Sequence, residues 1–133
     1  MTDKPRYWLT PPDFYNALDS EFHFDFDPCP CPRPKEYNSL VLPWGKSNYV
    51  NPPFLNCDAP HGGPAGFVRK AIAERDEGKT SVLVLPVPWS IGLLMAAGAE
   101  IRYAGKVQWL EVSTGKLCPR KAPQVVAILR PKK

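Results

Sequence analysis

The chain has 133 residues, and its 17 Lys and Arg against 13 Asp and Glu leave a formal net charge of +4. This length favours one domain, spanning residues 1–133, with a single modest core. The 44% share of hydrophobic residues argues against a disordered or fibrous chain. No apolar run approaches the roughly 18 residues that cross a membrane, and residues 1–7 lack a signal-peptide core. We therefore expect a cytoplasmic protein without a membrane segment.

Proline, cysteine and charge refine this expectation. The 17 prolines lie between clean apolar runs, so we expect an ordered fold with many loops rather than disorder. Four cysteines in a chain without a secretion signal are typical of reduced thiols or a metal site. The pI near 8.9 is compatible with nucleic-acid binding but does not require it.

Apolar spacing and chain-breaking residues predict the elements in chain order. They are a short helix from residues 10–12 onward, a half-buried strand at 21–27, a proline-broken loop, a strand at 47–50, a helix at 64–77, a strand buried on both faces at 80–85, a short helix at 90–97, two strands or one bent strand at 99–103 and 106–110, and a last strand at 124–129. Strands that alternate with helices favour an α/β fold with a largely parallel sheet.

Some of these predictions concern particular side chains. Thr10 is expected to cap the first helix, with Pro11 in the first turn. The charged residues of the 64–77 helix are expected to face water, namely Arg69, Lys70, Glu74 and Arg75. Arg130 belongs to a basic tail that is either simply solvated or steers a polyanion toward the protein.

The sharpest motif is Asn51-Pro52-Pro53-Phe54, which directly follows the 47–50 strand. Consecutive prolines fix the backbone and remove N–H donors. The Asn51 side-chain oxygen and the Pro52 carbonyl then offer two acceptors in a small volume, which suits an exocyclic NH₂ group whose lone pair must turn toward an electrophile. Phe54 can stack on the planar ring that carries this amine. A rigid turn without chemistry is the alternative interpretation of the same residues.

Asn51-Pro52-Pro53-Phe54 is similar to the (D/N)PP(Y/F) motif of S-adenosylmethionine-dependent amino-methyltransferases, which act on adenine N6 or cytosine N4. More narrowly, the whole chain resembles the small phage-type DNA N6-adenine methyltransferases. Further matching pieces follow in the family's order along nearly the full chain: Trp8-Leu9-Thr10-Pro11-Pro12, Phe24-Asp25-Phe26-Asp27-Pro28-Cys29, Trp44, Arg69-Lys70-Ala71, Val84-Leu85-Pro86 and Gly105-Lys106-Val107-Gln108-Trp109.

The resemblance implies a function and a fold. The function is transfer of a methyl group from S-adenosyl-L-methionine to the N6 amine of adenine in nucleic acid, with DNA as the first choice and RNA or single strands as the second. The fold is α/β, a minimal Rossmann-like methyltransferase sheet of about five strands with flanking helices. The setting is a phage or prophage protein in the cytoplasm of a bacterial host, and a homodimer is one option for its assembly.

The resemblance also implies roles for individual residues. The catalytic motif would be Asn51, Pro52, Pro53 and Phe54. Asn51 and Pro52 would accept the two amine hydrogens, and Phe54 would stack the base once it has left its helix or loop. The cofactor-binding residues would be Thr10, Pro11, Asp27, Pro28, Cys29 and Asn51. Asp27 would face the ammonium or sulfonium side of the donor, and Thr10 with Pro11 would line its methionine moiety.

The chain departs from the family pattern between its two main motifs. Cys29-Pro30-Cys31-Pro32 stands where the first cofactor motif usually continues into a glycine-rich loop. Only 23 residues separate Asp27 from Asn51, where a full methyltransferase sheet has two further strands and two helices. We therefore expect a trimmed sheet, with ribose contacts from Glu36, from Asn38 or from neither. No target-recognition domain is evident, so we expect low sequence specificity.

Two alternatives remain open. The first is a non-catalytic nucleic-acid-binding module on a degenerate methyltransferase scaffold. Zinc would stabilise this module through a set that can close tetrahedrally, namely Cys29, Cys31, Cys57 and His61. Buried or loop thiols are the simpler interpretation of these cysteines, and we predict no metal. The second alternative is methylation of a protein glutamine amide, which also uses an NPP(Y/F) motif.

Overall fold

The computed structural model of the chain describes residues 8–28, 42–51, 63–86, 91–106, 110–111 and 123–131. Its elements are β1 (Trp8–Leu9), α1 (Pro12–Phe22), β2 (Ser47–Val50), α2 (Gly63–Asp76), β3 (Thr80–Pro86), α3 (Ile91–Ala96), β4 (Glu100–Lys106), β5 (Leu110–Glu111) and β6 (Pro123–Leu129). The helix that follows Pro11, the predicted helices at 64–77 and 90–97, and the predicted strands at 47–50, 80–85, 99–103 and 124–129 are confirmed. The strand predicted at 106–110 stays a prediction, because residues 107–109 lie outside the described residues. Gly78 and Gly98, which follow α2 and α3, adopt positive φ angles of 87° and 79°, as is typical of residues that end a helix.

A mixed four-stranded sheet forms the centre of the fold, in the order β2-β3-β6-β4. β2 and β3 are parallel, whereas β6 pairs antiparallel with both β3 and β4. β2, β3 and β4 therefore run in one direction, and their carboxyl ends lie at the same edge. The prediction of a largely parallel sheet is wrong for β6, because apolar periodicity carries no information about strand direction. β1 and β5 form a separate antiparallel pair.

Helices cover both faces of this sheet. On one face, α1 packs on alternate strand residues in a cluster of Phe14, Tyr15, Leu18, Phe22, Phe24, Tyr49, Val82, Val84, Val126 and Ile128. On the other face, α2 and α3 pack on the remaining strand residues in a cluster of Trp44, Val50, Phe67, Val68, Ala71, Leu83, Leu85, Leu94, Val125, Ala127 and Leu129. Val82–Leu85 of β3 is fully buried, as its continuous apolar run predicts. The described residues thus form a three-layer α/β arrangement.

The half-buried strand predicted at 21–27 is wrong. α1 extends into this segment and ends at His23, whose φ of 52° is left-handed. The remainder forms a single parallel bridge, between Phe26 and Asn48. Phe24 packs on the α1 face and Phe26 against the opposite cluster, so the two rings share no common face. The alternation of aromatic and polar residues therefore does not mark one buried face of a strand, because the chain passes from one side of the sheet to the other between Phe24 and Phe26.

Two charged residues of α2 are buried, which corrects the prediction that they face water. Glu74 is 5% exposed and accepts hydrogen bonds from the Trp44 backbone N–H at 2.5 Å and from Lys79 Nζ at 3.2 Å. Burial raises the pKa of Glu74, but these bonds outweigh it and hold the pKa below its ordinary value. Arg75 donates to the Ala97 carbonyl. Both side chains tie α2 to other segments, which periodicity within α2 alone cannot reveal.

A network of charged side chains holds the end of α1 at the amino edge of the sheet. Arg102 of β4 donates to the two carboxylate oxygens of Glu21, both at 2.7 Å, and to Glu100 at 2.6 Å. Arg130 also donates to Glu100. The guanidinium groups of Arg102 and Arg130 lie 5.7 and 5.6 Å from the centre of the Phe22 ring. Arg130 is therefore part of a structural network rather than a simply solvated tail residue.

This charged network predicts a loss of stability in acid. Hydrogen bonds from Arg102 to Glu21, and from Arg130 and Arg102 to Glu100, hold the pKa of each carboxyl below its ordinary value of 4.5. A carboxylate with a lowered pKa stabilises the fold above its ordinary pKa, and this contribution is lost as the pH falls through the lower folded-state value. We expect the melting temperature to change little between pH 5 and 7 and to fall below about pH 4.5.

Thermal unfolding of an arginine variant tests whether the charged network causes the loss of stability in acid. Arg102→Met should lose less stability on acidification than the wild type, because the pKa values of its carboxyl partners return toward their ordinary range. Arg69→Met is the control, since Arg69 is an exposed arginine of α2, and it should keep the wild-type pH profile. Identical profiles for the wild type and Arg102→Met would show that the network does not cause the acid loss.

Within the residues that the structure describes, none of the helices is long and apolar enough to cross a membrane.

Candidate ligand site at the carboxyl edge of the sheet

Two of the candidate residues lie at the carboxyl edge of the sheet. Phe26 forms a parallel bridge with Asn48, and the Tyr49 N–H donates to the Phe26 carbonyl at 3.1 Å. Asp27 directly follows Phe26, and Asn51 directly follows β2. Adjacent parallel segments therefore bring both side chains to one edge. Ligands of open α/β sheets bind at this edge, in the crevice outside the carboxyl ends of the strands.

The start of α1 comes to the same edge through a hydrogen bond between two hydroxyl groups. Thr10 Oγ1 and Tyr49 Oη lie 2.5 Å apart, although 39 positions separate them in the sequence. At the other end of α1, the Phe22 carbonyl accepts a 2.7 Å bond from Ser47 Oγ. α1 thus runs antiparallel to β2, and Thr10 and Pro11 lie beside the end of β2 that leads into the Asn-Pro-Pro-Phe motif.

The prediction that Thr10 caps α1 is wrong. Pro11 rather than Thr10 is the N-cap, and no side chain of the described residues caps this helix. The helix starts here because Pro12, with its fixed φ, suits the first helical position. The Tyr15 N–H donates to the Pro11 carbonyl at 3.0 Å as the first helical bond. The Thr10 hydroxyl is directed to Tyr49 instead.

Aromatic rings form the wall behind this edge. The Tyr49 side chain is 3% exposed, and its ring lies 5.0 Å from the Tyr15 ring in an edge-on contact and 5.3 Å from the Phe24 ring. Tyr15 and Phe24 also contact each other, with ring centres 5.6 Å apart. Packing of this kind restricts the rings. The Tyr49 hydroxyl is therefore held in a defined position toward Thr10.

A carboxylate gives the edge a negative charge. Asp27 is exposed, whereas the adjoining Pro28 is buried and Asn51 is half-buried. Burial raises the pKa of Tyr15, and the negative charges of Asp19 and Asp27 raise it further. Tyr15 is consequently a neutral hydrogen-bonding group at physiological pH, within the electrostatic range of Asp27. Such a surface suits a ligand that carries both positive charge and hydrogen-bonding groups.

Gly45 allows the 25–27 segment to lie against β2. A Cβ atom on Gly45 would lie 2.3 Å from Asp25 Oδ1 and 2.7 Å from Phe26 Cβ. Asp25 Oδ1 accepts a 3.1 Å bond from the Ser47 N–H, so moving this carboxylate breaks that bond. The position of the 25–27 segment at the edge therefore depends on the absence of a side chain at residue 45.

We expect Gly45→Ala to lower the free energy of unfolding by about 1–3 kcal/mol, because overpacking forces the 25–27 segment away from β2. Chemical denaturation measures this loss. Gly92→Ala is a matched control, since nothing lies within 4 Å of its Cβ position and alanine favours the α3 helix. If the two variants were equally stable, the close approach at Gly45 would not contribute to the fold.

The candidate residues that the structure describes lie in three segments: Thr10 and Pro11 before α1, Asp27 and Pro28 after the Phe26 bridge, and Asn51 after β2. The other predicted site residues lie outside the described residues, so their roles stay predictions: Cys29, Pro52, Pro53 and Phe54. The same holds for the ribose and zinc candidates Glu36, Asn38, Cys31, Cys57 and His61. Within the described ranges, no group of three or more His, Cys, Asp or Glu side chains is arranged to hold a metal ion.

Sequence reasoning missed two residues of this site, Tyr15 and Tyr49. Tyr15 lies on the apolar face of α1 and Tyr49 at a buried strand position, so both resemble ordinary core aromatics. The available signal is the phenolic hydroxyl, because a buried tyrosine usually finds a hydrogen-bond partner. The partner of Tyr49 is Thr10, and only the fold reveals this pairing.

Comparison of the chain with models of known protein families, with curated proteins and with solved structures found no significant match.

Proposed function

We propose that this chain is an S-adenosylmethionine-dependent methyltransferase that acts on the N6 amine of adenine in nucleic acid. One observation carries the proposal: the parallel bridge between Phe26 and Asn48 brings Asp27 and Asn51 to the same carboxyl edge. These residues belong to the two motifs that the resemblance assigns to the donor and to the target amine. The position of both motifs at one edge supports a shared site for the methyl donor and the target base.

The residues at this edge fit S-adenosylmethionine in their chemistry. The donor carries a positive sulfonium, an ammonium and a carboxylate, together with hydroxyl and amine groups. Asp27 offers a negative charge to the positive groups, and the Thr10 hydroxyl and Asn51 amide offer hydrogen bonds. Thr10 reaches this edge through its bond to Tyr49. These groups support the cofactor assignment. Pro11, Pro28 and Cys29, which the resemblance also assigns to the cofactor, stand next to these residues in the sequence.

The mechanism we propose is one of positioning. S-adenosylmethionine supplies an electrophilic methyl group when it is bound. Asn51 and the Pro52 carbonyl accept the two amine hydrogens, which turns the nitrogen lone pair toward that methyl group, while Pro53 keeps the motif rigid and Phe54 stacks the base. No strong general base is required, because the nitrogen becomes cationic and acidic as its bond to the methyl group forms and the methyl–sulfur bond breaks, which would leave a neutral thioether. The proton of the nitrogen then passes to water or to a nearby carbonyl. Alignment and electrostatics account for the rate.

The proposal includes the fold, a minimal Rossmann-like methyltransferase sheet. The segment at Phe26 and strands β2, β3 and β4 all run in one direction, with helices on both faces of the sheet. Counting the Phe26 segment and the antiparallel β6, five segments lie side by side. These features support a minimal Rossmann-like methyltransferase sheet, to which β6 adds an antiparallel strand.

The proposed substrate is nucleic acid, and unpaired adenine is its most favourable form. The formal net charge of +4 favours association with a polyanion. Extracting a base from a duplex costs free energy, and this cost is smallest where the base is already unpaired. We therefore expect faster methylation of single strands than of duplexes.

A transfer assay with radiolabelled S-adenosylmethionine tests the function. We expect label to enter a single-stranded DNA oligonucleotide that contains adenine, to enter the matching duplex at least about tenfold more slowly, and to be absent from an oligonucleotide without adenine. An RNA of the same sequence distinguishes the two kinds of strand. Transfer only to a glutamine-containing peptide would contradict the proposal and support the protein-amide alternative. Stoichiometric zinc in a protein without transfer activity would support the non-catalytic module.

A further inference from the structure

We infer that Tyr49 is a positioning residue for the methyl donor, acting through its hydrogen bond to Thr10. The inference rests on the proposed function, because it assigns Thr10 to the donor site. Tyr49 precedes Asn51 by two residues in the same extended segment. A single side chain thus links the segment that leads into the target-amine motif to the segment that lines the donor.

The surroundings of Tyr49 suit a positioning role rather than direct contact with a substrate. Its side chain is 3% exposed, so the ring lies behind the surface. The Tyr15 and Phe24 rings pack against it with centres 5.0 and 5.3 Å away. The hydroxyl extends from this packed ring to Thr10 at 2.5 Å, and Thr10 itself is partly exposed. The position of Thr10 at the surface therefore depends on a buried anchor.

The start of α1 has particular need of this anchor. Among the described residues no side chain caps the helix at Pro11. The other end of the helix is fixed by the hydrogen bonds from Arg102 to Glu21 and by the contacts of Arg102 and Arg130 with the Phe22 ring. Loss of the Tyr49 hydroxyl removes the bond that holds Thr10 to β2. The donor-lining segment then varies in its position relative to Asn51, and donor binding weakens although the fold is retained.

Titration calorimetry and steady-state kinetics on a small set of variants test this inference. Tyr49→Phe keeps the ring and removes the hydroxyl, Thr10→Val removes the partner hydroxyl, and Thr10→Ser restores it. We expect the first two variants each to raise the dissociation constant and KM for S-adenosylmethionine about five- to tenfold, with a smaller change in kcat. Thr10→Ser should stay within about twofold of the wild type.

The pattern across variants separates positioning from a general loss of structure. The double variant Tyr49→Phe/Thr10→Val should bind the donor no more weakly than the weaker single variant, because the Tyr49 hydroxyl acts on the donor only through Thr10. Affinity for single-stranded DNA should stay unchanged in all variants. Tyr103→Phe is the matched control, since Tyr103 is 71% exposed, and it should behave as the wild type.

Three outcomes would overturn the inference. The first is a Tyr49→Phe variant that equals the wild type in donor affinity, the second is a Tyr49→Phe variant that weakens donor and DNA binding alike, and the third is full additivity of the two single substitutions. If the wild type binds the donor, each of these outcomes disproves the positioning role of Tyr49 and leaves the proposed function intact. A wild-type protein that binds no donor overturns both.

Discussion

Replacing Asn51 by alanine is expected to lower the rate of methyl transfer by about 10²–10³-fold, the usual cost of losing one positioned hydrogen-bonding group. Asn51 stands at the carboxyl edge of the sheet, directly after β2 and half-buried. Without its side-chain oxygen, the target amine loses one of its two proposed acceptors, and its lone pair is no longer turned toward the methyl group. The assay is transfer of labelled methyl to single-stranded DNA at saturating donor.

Two further variants make this result specific. Asn51→Asp keeps an acceptor oxygen and should retain a measurable rate, because the motif that the chain resembles accepts either residue. Asn16→Ala removes an exposed asparagine of α1 and should leave the rate unchanged. Full activity in Asn51→Ala would disprove the proposed role of this residue, whatever the results for the other two variants.

Replacing Asn48 by alanine is expected to have the opposite profile, a loss of about 2–4 kcal/mol in the free energy of unfolding. Asn48 is fully buried, and its Oδ1 accepts from the Gly45 N–H at 2.9 Å. Its Nδ2 donates to the carbonyls of Gly45 and Thr80, both at 3.0 Å. Alanine leaves these backbone groups without their partner, and the bridge to Phe26 loses the turn that supports it.

Denaturant titration of both asparagine variants separates structure from function. Asn48 and Asn51 lie three positions apart, and the expected effects are reversed: Asn48→Ala lowers stability strongly, whereas Asn51→Ala lowers activity at nearly wild-type stability. Asn16→Ala again serves as the control for both measurements. Wild-type stability in Asn48→Ala would mean that water replaces its hydrogen bonds and that the turn at Gly45 does not depend on them.

Local patterns predicted the elements whose burial is complete or one-sided. The run Val82–Leu85 is apolar without interruption and forms a strand buried on both faces, and the stripe of Phe67, Val68 and Ala71 faces the core from α2. In both cases the hydrophobic effect acts on side chains that are neighbours in the same element. The end of α2 could also be predicted, because a glycine such as Gly78, which adopts a positive φ, ends a helix.

Features that depend on contacts between distant segments could not be predicted from local patterns. Glu74 is polar and faces the loop at Trp44, which lies 30 positions away, so its burial has no signature within α2. The antiparallel direction of β6 is likewise a matter of topology. The residues after α1 alternate in polarity like a strand, yet Phe24 and Phe26 pack on opposite sides of the sheet.

The candidate site shows the same division. The resemblance assigned Asp27 and Asn51 to one site, and the bridge between Phe26 and Asn48 puts the segments that carry them at one edge of the sheet. Thr10 was predicted as a helix cap and as a donor-lining residue, and its hydroxyl bonds to Tyr49 instead of capping. A threonine before two prolines is typical of a helix cap, but the position of Tyr49 on β2 gives its hydroxyl another partner.

Calorimetric titration of the wild-type protein with S-adenosylmethionine is the most direct test of the central claim, that the trimmed carboxyl edge is a working donor site. We expect saturable binding with a dissociation constant in the micromolar range, about −8 kcal/mol. Absence of detectable heat, both alone and with single-stranded DNA present, would contradict the claim and favour a non-catalytic nucleic-acid-binding module.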